Sequence, residues 1–213
     1  MRQTVRRVLR RVPARRDSAR RGTPADLLVI GLGNPGEQYA GSRHNVGHEV
    51  VERLARRHQG ALKRSKELAL VSEVRVGPKR VTLAFPTTYY NDSGASARQL
   101  CHRHGIESPE SLVVVHDELD LAPGRLQLKR GGGLAGNKGL KSIEAHLHHA
   151  DFLRIRIGIG KPAGQGADWV LGRPSKADRV ELDVAVERAA DAVEKILEDG
   201  MDAAMQIYNR ADL

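Results

Sequence analysis

Leu27-Leu28-Val29-Ile30-Gly31-Leu32-Gly33-Asn34-Pro35-Gly36 decides the fold. Four consecutive apolar residues that break at glycine predict a short strand covered on both faces, as in the inner strands of an α/β sheet. The glycine spacing also fits G-x-G-x-x-G, the dinucleotide-binding fingerprint. Two features argue against that reading. Pro35 and the polar segment 37–45 do not open a helix, so no helix N-terminus would face a pyrophosphate. A ribose-binding acid should end a second strand roughly 20 residues on, whereas Glu52 lies inside a predicted helix. The pattern suits a tight loop that presents Asn34 at the carboxyl end of a strand, where open α/β sheets place their sites.

Outward from this strand the pattern alternates. Val46, Val50, Val51, Leu54 and Ala55 recur at helical spacing and predict a helix over 46–58. Strands follow over 67–76 and 80–85, parted by Gly77-Pro78. A helix near 93–104 precedes Leu112-Val113-Val114-Val115, a second fully apolar strand. Residues 125–129 alternate like an edge strand, and a Gly-rich loop over 131–136 leads to a helix near 139–148. From Phe152 to Ile159 apolar residues alternate with Arg154 and Arg156, which predicts a strand with one wet face. The longest periodic helix spans 176–199, stops at Gly200 and is followed by a short helix over 201–208. The expectation is a single α/β domain, a mixed and mostly parallel sheet with helices on both faces.

Charge is unevenly distributed. The 213 residues carry a net charge of +9, which by itself suggests an acidic partner such as nucleic acid. Residues 1–24 hold nine of the 35 bases and one of the 26 acids, which leaves 26 bases against 25 acids in the rest of the chain. A nucleic-acid site on that near-neutral body must be a local patch. We therefore expect residues 1–25 to form a basic disordered arm and 26–213 the folded domain. The arm reads as a solvated tail; an organellar transit peptide and a basic RNA-binding arm are the other readings. No apolar run follows it as in a secretory signal, and no stretch is long and apolar enough to cross a membrane. The single cysteine, Cys101, excludes an intrachain disulfide and suits a reducing compartment, so a cytoplasmic location is expected.

Several segments carry chemistry. His44 sits in the polar loop Ser42-Arg43-His44-Asn45 just before a helix, a position that can expose a general base. His116-Asp117-Glu118-Leu119-Asp120 follows an apolar strand directly, and Asp117, nearest the strand end, is the best candidate to orient a histidine. A metal site there is the competing idea, but the remaining histidines lack three-ligand spacing. Tyr89, Tyr90 and Asn91 stand together in a loop and suit a rim on which a base or sugar stacks. The stretch from Lys129 to Lys141 is a Gly-rich loop flanked by bases, a surface for phosphate. It is not a Walker loop, because Lys138 is followed by Gly139.

Taken together, GLGNPGEQYAGSRHNVG (31–47), FPTTYYNDSG (85–94), VVVHDELDLAPG (113–124), LKRGGGLAGNKGLKSI (128–143), FLRIRIGIGKP (152–162), WVLG (169–172) and AAMQIYN (203–209) resemble the bacterial-type peptidyl-tRNA hydrolase family. The resemblance covers residues 26–208. It implies cleavage of the ester joining a peptide to the 3′ ribose of tRNA, without metal or cofactor, by a monomer with no obligate protein partner. His44 then matches the general base, Asp117 the acid that holds its imidazole, and Asn34 the amide that tells blocked from free aminoacyl-tRNA. Asn91 matches an amide near the scissile bond, and Tyr39 and Tyr89 match aromatic positions lining the tRNA 3′-end site. Lys129 and Arg156 match a basic pair that clamps the tRNA 5′-phosphate.

The chain departs from the pattern in two places. The family usually reads Gly-Gly-His-Asn-Gly-Leu in the Gly-rich loop, so an ungapped alignment puts Asn137 at its His and Lys138 at its Asn. The expectation is that Asn137 turns inward as a substrate-site amide and Lys138 faces solvent, because an ammonium prefers water. The usual Met before Asn91 is Tyr90. The alternative function is a non-catalytic RNA-binding relative of the same fold. Retention of Asn34, His44, Asn91 and Asp117 together argues against it, since a pure binder needs no base–carboxylate pair.

Overall fold

The computed structural model describes residues 23–162 and 166–210. Residues 1–22 of the expected arm lie outside the described residues. Along the chain run β1 (Leu27–Gly31), α1 (Val46–Arg57), β2 (Lys63–Arg64), β3 (Ala69–Val76), β4 (Lys79–Pro86), α2 (Ser93–His104), β5 (Leu112–Glu118), β6 (Leu126–Arg130), α3 (Lys138–Leu147), β7 (Leu153–Gly158), α4 (Gly166–Leu171) and α5 (Lys176–Tyr208). They form one seven-stranded sheet in the order β2-β3-β4-β1-β5-β7-β6. The inner strands β4, β1, β5 and β7 are mutually parallel, while β2, β3 and β6 extend the two edges antiparallel. The sheet is therefore mixed with a parallel centre. As the apolar runs predict, β1 and β5 are buried throughout; they lie side by side in that centre.

Side chains alternate across the sheet, and each face meets its own helices. Val29, Val113, Val115, Ile155 and Ile157 pack with Val50 and Leu54 of α1 and with Leu182, Ala189 and Val193 of α5. On the other face Leu28, Ile30 and Val114 pack with Ala97 and Leu100 of α2 and Leu140 and Ile143 of α3. The helix expected to stop at Gly200 does break there: Gly200 has φ 85° and ψ 171° inside α5, and the chain resumes as helix to Tyr208. The sequence patterns missed the two-residue β2 and the six-residue α4, both too short for a periodicity to register.

One expectation fails. The arginine face of β7 is not wet. The strand sits between β5 and β6 rather than at an edge, and Arg154 is 2 % exposed. Its guanidinium donates to the carbonyl oxygens of Gly131, Gly132 (3.2 Å) and Gly133 (3.1 Å), so the Gly-rich loop covers this face.

After β1 the chain fills one side from the edge strand β2 inward to β4; after β4 it crosses to β5 on the other side of β1. This reversal at β1 leaves a crevice at the carboxyl ends of the parallel strands. Close docking of α1 makes the crevice narrow. A Cβ on Gly31 would overlap the Gly47 carbonyl, so two facing glycines let the start of α1 lie directly on the end of β1.

Candidate functional site

The crevice is a cleft of about 550 Å³, walled by Asn34, His44, Tyr90, Asn91, Asp117 and Asn137 and capped on one side by Val170 and Leu171 of α4. Loops following β1 and β4 and the carboxyl end of β5 supply most of these groups. Residues far apart in sequence therefore converge because their strands are neighbours.

His44 lies in a single helical turn, Arg43–Asn45, that runs straight into α1. Both its neighbours are anchored. The Arg43 guanidinium stacks over Trp169 at 3.7 Å and binds the Arg173 carbonyl (2.9 Å) and Asp178 (3.2 Å). Asn45 exchanges two hydrogen bonds with the Asn34 backbone: Asn34 N–H donates to Oδ1 (2.8 Å), and Nδ2 donates to the Asn34 carbonyl (3.0 Å). The imidazole is thus held on a rigid stub.

His44 Nδ1 lies 2.8 Å from Asp117 Oδ2, across 73 residues of sequence. An ionised carboxylate only accepts, so the shared proton sits on Nδ1 and the Nε2 lone pair is left for a ligand. Nε2 has no partner among the described residues. The Asp117 side chain is 4 % exposed and that of His44 16 %, so the pair is shielded yet reachable from the cleft. The second carboxylate oxygen accepts the Tyr90 hydroxyl proton (2.7 Å), and the Tyr90 ring lies flat on the imidazole, centroids 3.6 Å apart and planes 12° apart. Burial, and then the Asp117 charge, push the Tyr90 phenol well above its ordinary value, so it stays protonated.

Asn34 accepts the Tyr90 backbone N–H through Oδ1 (2.8 Å), which fixes the amide and leaves its NH₂ as the donor available in the cleft. Asn137 caps α3 by accepting the Leu140 N–H (3.0 Å) and donates to the Tyr90 hydroxyl (2.9 Å). It turns inward as expected, while Lys138 is exposed on the cleft rim. Asn91 is exposed on the same rim.

Four expected site residues do not line the cleft. Tyr89 is 62 % exposed just outside it, and Tyr39 is half-buried beyond the first loop. Lys129 and Arg156 share one face of the sheet, since the register pairs Lys129 with Arg154 and Gln127 with Arg156. Arg156 is largely enclosed, its side chain 14 % exposed, and both Nε (3.0 Å) and Nη2 (2.8 Å) donate to Glu118. Glu118 also accepts the Asp120 N–H (3.2 Å), which accounts for one carboxylate of the acidic turn as local structure. Among the described residues no three His, Cys, Asp or Glu side chains are grouped as a metal ion would require. Sequence reasoning put Tyr90 on the rim beside Tyr89, whereas it is buried against His44 and Asp117, and it missed Arg43 as the strut. The two adjacent tyrosines were the available signal, but they gave no indication which one turns inward.

A buried carboxylate that orients an imidazole beside pinned amides, at the carboxyl edge of a parallel sheet, is an arrangement that can serve general-base chemistry. The comparisons with known proteins give the class, a hydrolase. The sequence profile of the peptidyl-tRNA hydrolase family matches residues 28–213. The peptidyl-tRNA hydrolase of Syntrophomonas wolfei is 43 % identical over 182 residues, 85 % of this chain and 99 % of the relative. That of Cutibacterium acnes is 47 % identical over 195 residues, 85 % of this chain and 97 % of the relative. A crystal structure of peptidyl-tRNA hydrolase from Acinetobacter baumannii superimposes with a TM-score of 0.80 at 35 % identity, covering 87 % of this chain and 95 % of that one. The chain belongs to the peptidyl-tRNA hydrolase family.

Proposed function

We propose that the chain hydrolyses the ester between a peptide, or an N-blocked aminoacyl group, and the 3′ ribose of tRNA, with His44 as general base. Water gives a proton to His44 Nε2 as its oxygen bonds to the ester carbonyl carbon. The tetrahedral intermediate then collapses, the bond to the ribose oxygen breaks, and the His44 proton goes to that oxygen. Asp117 keeps Nδ1 protonated and stabilises the transient imidazolium. The Asn34 NH₂ and the Asn91 amide are the neutral donors placed to hold the peptide end. Asn137 acts inside the wall of the cleft and Lys138 on its rim.

For the tRNA, Tyr89 is the exposed ring on which the 3′ end stacks, with Tyr39 beside the first loop. Lys129, which has no ion-pair partner among the described residues, is the ready contact for the 5′-phosphate, and Arg156 joins it by exchanging Glu118 for phosphate. The near-neutral body fits a substrate gripped at a few phosphates. The enzyme works without metal or cofactor as a cytoplasmic monomer, and exposed large apolar side chains among the described residues are few.

The observation that carries this reading is the 2.8 Å His44–Asp117 contact with Nε2 open to the cleft. The test is release of peptide from N-blocked aminoacyl-tRNA. His44→Ala should lower the rate by about 10²–10⁴-fold, the usual contribution of a general base, while binding of deacylated tRNA survives. Near-normal turnover in that variant would mean that another group activates the water.

A further inference from the structure

The hydrogen bonds that end on His44 each have only one allowed direction. The Leu140 N–H can only donate, so Asn137 accepts with Oδ1 (3.0 Å) and is left with Nδ2 as its donor. Nδ2 gives its proton to the Tyr90 hydroxyl oxygen (2.9 Å). That hydroxyl must then aim its own proton elsewhere, and Asp117 Oδ1, an acceptor only, stands 2.7 Å away. Asp117 Oδ2 in turn accepts from His44 Nδ1. The first turn of α3 thus dictates, link by link, the Asn137 flip, the Tyr90 rotor and the His44 tautomer. The residues immediately before that turn are the Gly-rich loop, 131–136.

We propose that Tyr90 and Asn137 form a hydrogen-bond relay that couples the docking of the Gly-rich loop to the orientation of Asp117, with Tyr90 as the positioning residue for the His44–Asp117 pair. The inference rests on the reading of His44 as base. Its physical content is simple. A carboxylate held at one oxygen can rock about its terminal torsion, and the imidazole rocks with it; held at both oxygens it cannot. Small losses of alignment cost rate rather than affinity. Tyr90 and Asn137 are also two of the positions at which the chain departs from the family pattern, and here the two departures touch each other through one hydrogen bond.

The test is steady-state kinetics on N-blocked aminoacyl-tRNA with Tyr90→Phe, Asn137→Asp and the double variant. Tyr90→Phe keeps the buried ring and its stack on His44 and removes only the hydroxyl. Asn137→Asp keeps an oxygen to cap α3 and turns the donor into a charged acceptor, which draws the Tyr90 proton away from Asp117. Each should lower kcat by about tenfold, the scale of one hydrogen bond to a charged group, with KM within about twofold, as expected when only alignment is lost. The double variant should be no slower than the slower single variant, because both break one relay. Melting temperatures taken alongside identify a variant whose loss comes from unfolding; in that case Tyr90→Met, which refills the space without a hydroxyl, replaces it in the same comparison. Wild-type kcat in Tyr90→Phe, or kcat losses that multiply in the double variant, would overturn the relay. His44→Ala assayed in parallel separates the two ideas. If it is inactive while Tyr90→Phe is normal, only the relay fails; if it stays active, the base itself was wrong.

Discussion

Two glycine-rich segments border the cleft, and they use glycine for opposite reasons. In residues 31–36 Gly31 and Gly33 provide closeness, while the exposed Gly36 sits at φ 112°. Gly31 and Gly33 are buried, and added side chains there would meet the Gly47 carbonyl and the Asn45 amide. The segment is tied at two of its residues: Leu32 N–H to the Val115 carbonyl (2.9 Å), and Asn34 to Asn45 in both directions and through its side chain to Tyr90. In residues 131–136 the glycines provide conformation. Gly131, Gly132 and Gly136 all have positive φ, Ala135 is forced to φ 49°, and Gly132, Gly133, Ala135 and Gly136 are exposed. Arg154 gathers this second loop from beneath through its carbonyl oxygens. In sequence the first fits a dinucleotide fingerprint only superficially and the second reads as a phosphate surface; in the fold Gly31 and Gly33 are core and most of the second loop is surface. A glycine's role is set by what lies where its Cβ would be.

The largest effect should come from substituting where space is absent. Gly31→Ala drives a methyl group into the backbone of α1, and neither partner is a flexible side chain. Overpacking of this kind costs typically ~1–3 kcal/mol, more where backbone must move. We expect at least about 3 kcal/mol from urea unfolding. Gly133→Ala has open space around its Cβ and no positive φ, so its change should stay within about 0.5 kcal/mol. Equal losses at the two positions would erase the distinction between the loops.

A middle-sized effect tests the support of the second loop. The Arg154 charge is met by three main-chain carbonyls rather than by a hydrogen-bonded carboxylate. Burial, and then the nearby Arg156, push its pKa below the ordinary guanidinium value, though a guanidinium stays charged. Arg154→Met should leave those carbonyls unpaired and cost about 1–3 kcal/mol. It should also speed amide hydrogen exchange across 131–136 while exchange in 31–36 stays unchanged. If both loops respond alike, or neither does, Arg154 is not the specific support of the second.

The same contrast explains what the sequence disclosed. Local patterns carried the strands at 27–30 and 112–115 (the second runs on to Glu118), α1, α2 and the break at Gly200, because each depends on residues within a few positions. His44 and Asp117 were legible as types at the right strand ends, and their contact followed once β1 and β5 were neighbours. Lateral position in the sheet is not a local property. The alternation of Arg154 and Arg156 therefore read as a solvent face, although β6 and the loop after it cover that face. Tyr90 was hidden for a related reason. Its ring is as buried as a core residue, and only the Asp117 oxygen on one side and the Asn137 amide on the other give its hydroxyl a task.

The smallest expected effect concerns Lys138, which stands where the family pattern has a neutral amide. Its ammonium is exposed on the cleft rim and makes no ion pair among the described residues. The inward place is already filled by Asn137, which donates to Tyr90. A solvated cation beside a polyanion acts through its counterions, and one phosphate contact changes the slope of log affinity against log salt by about 0.7–0.9. Lys138→Ala should therefore raise KM for peptidyl-tRNA by roughly two- to fourfold near 50 mM salt, with the difference fading as salt rises. Its kcat should stay within about twofold of wild type, the range expected of a substitution that leaves the Asn137–Tyr90–Asp117 chain intact. A several-fold rise in kcat at all salt concentrations, in Lys138→Ala and in Lys138→Asn alike, would give the opposite picture. The ammonium would then be suppressing turnover from within the cleft, and the second loop would belong to the catalytic wall rather than to the surface that meets tRNA.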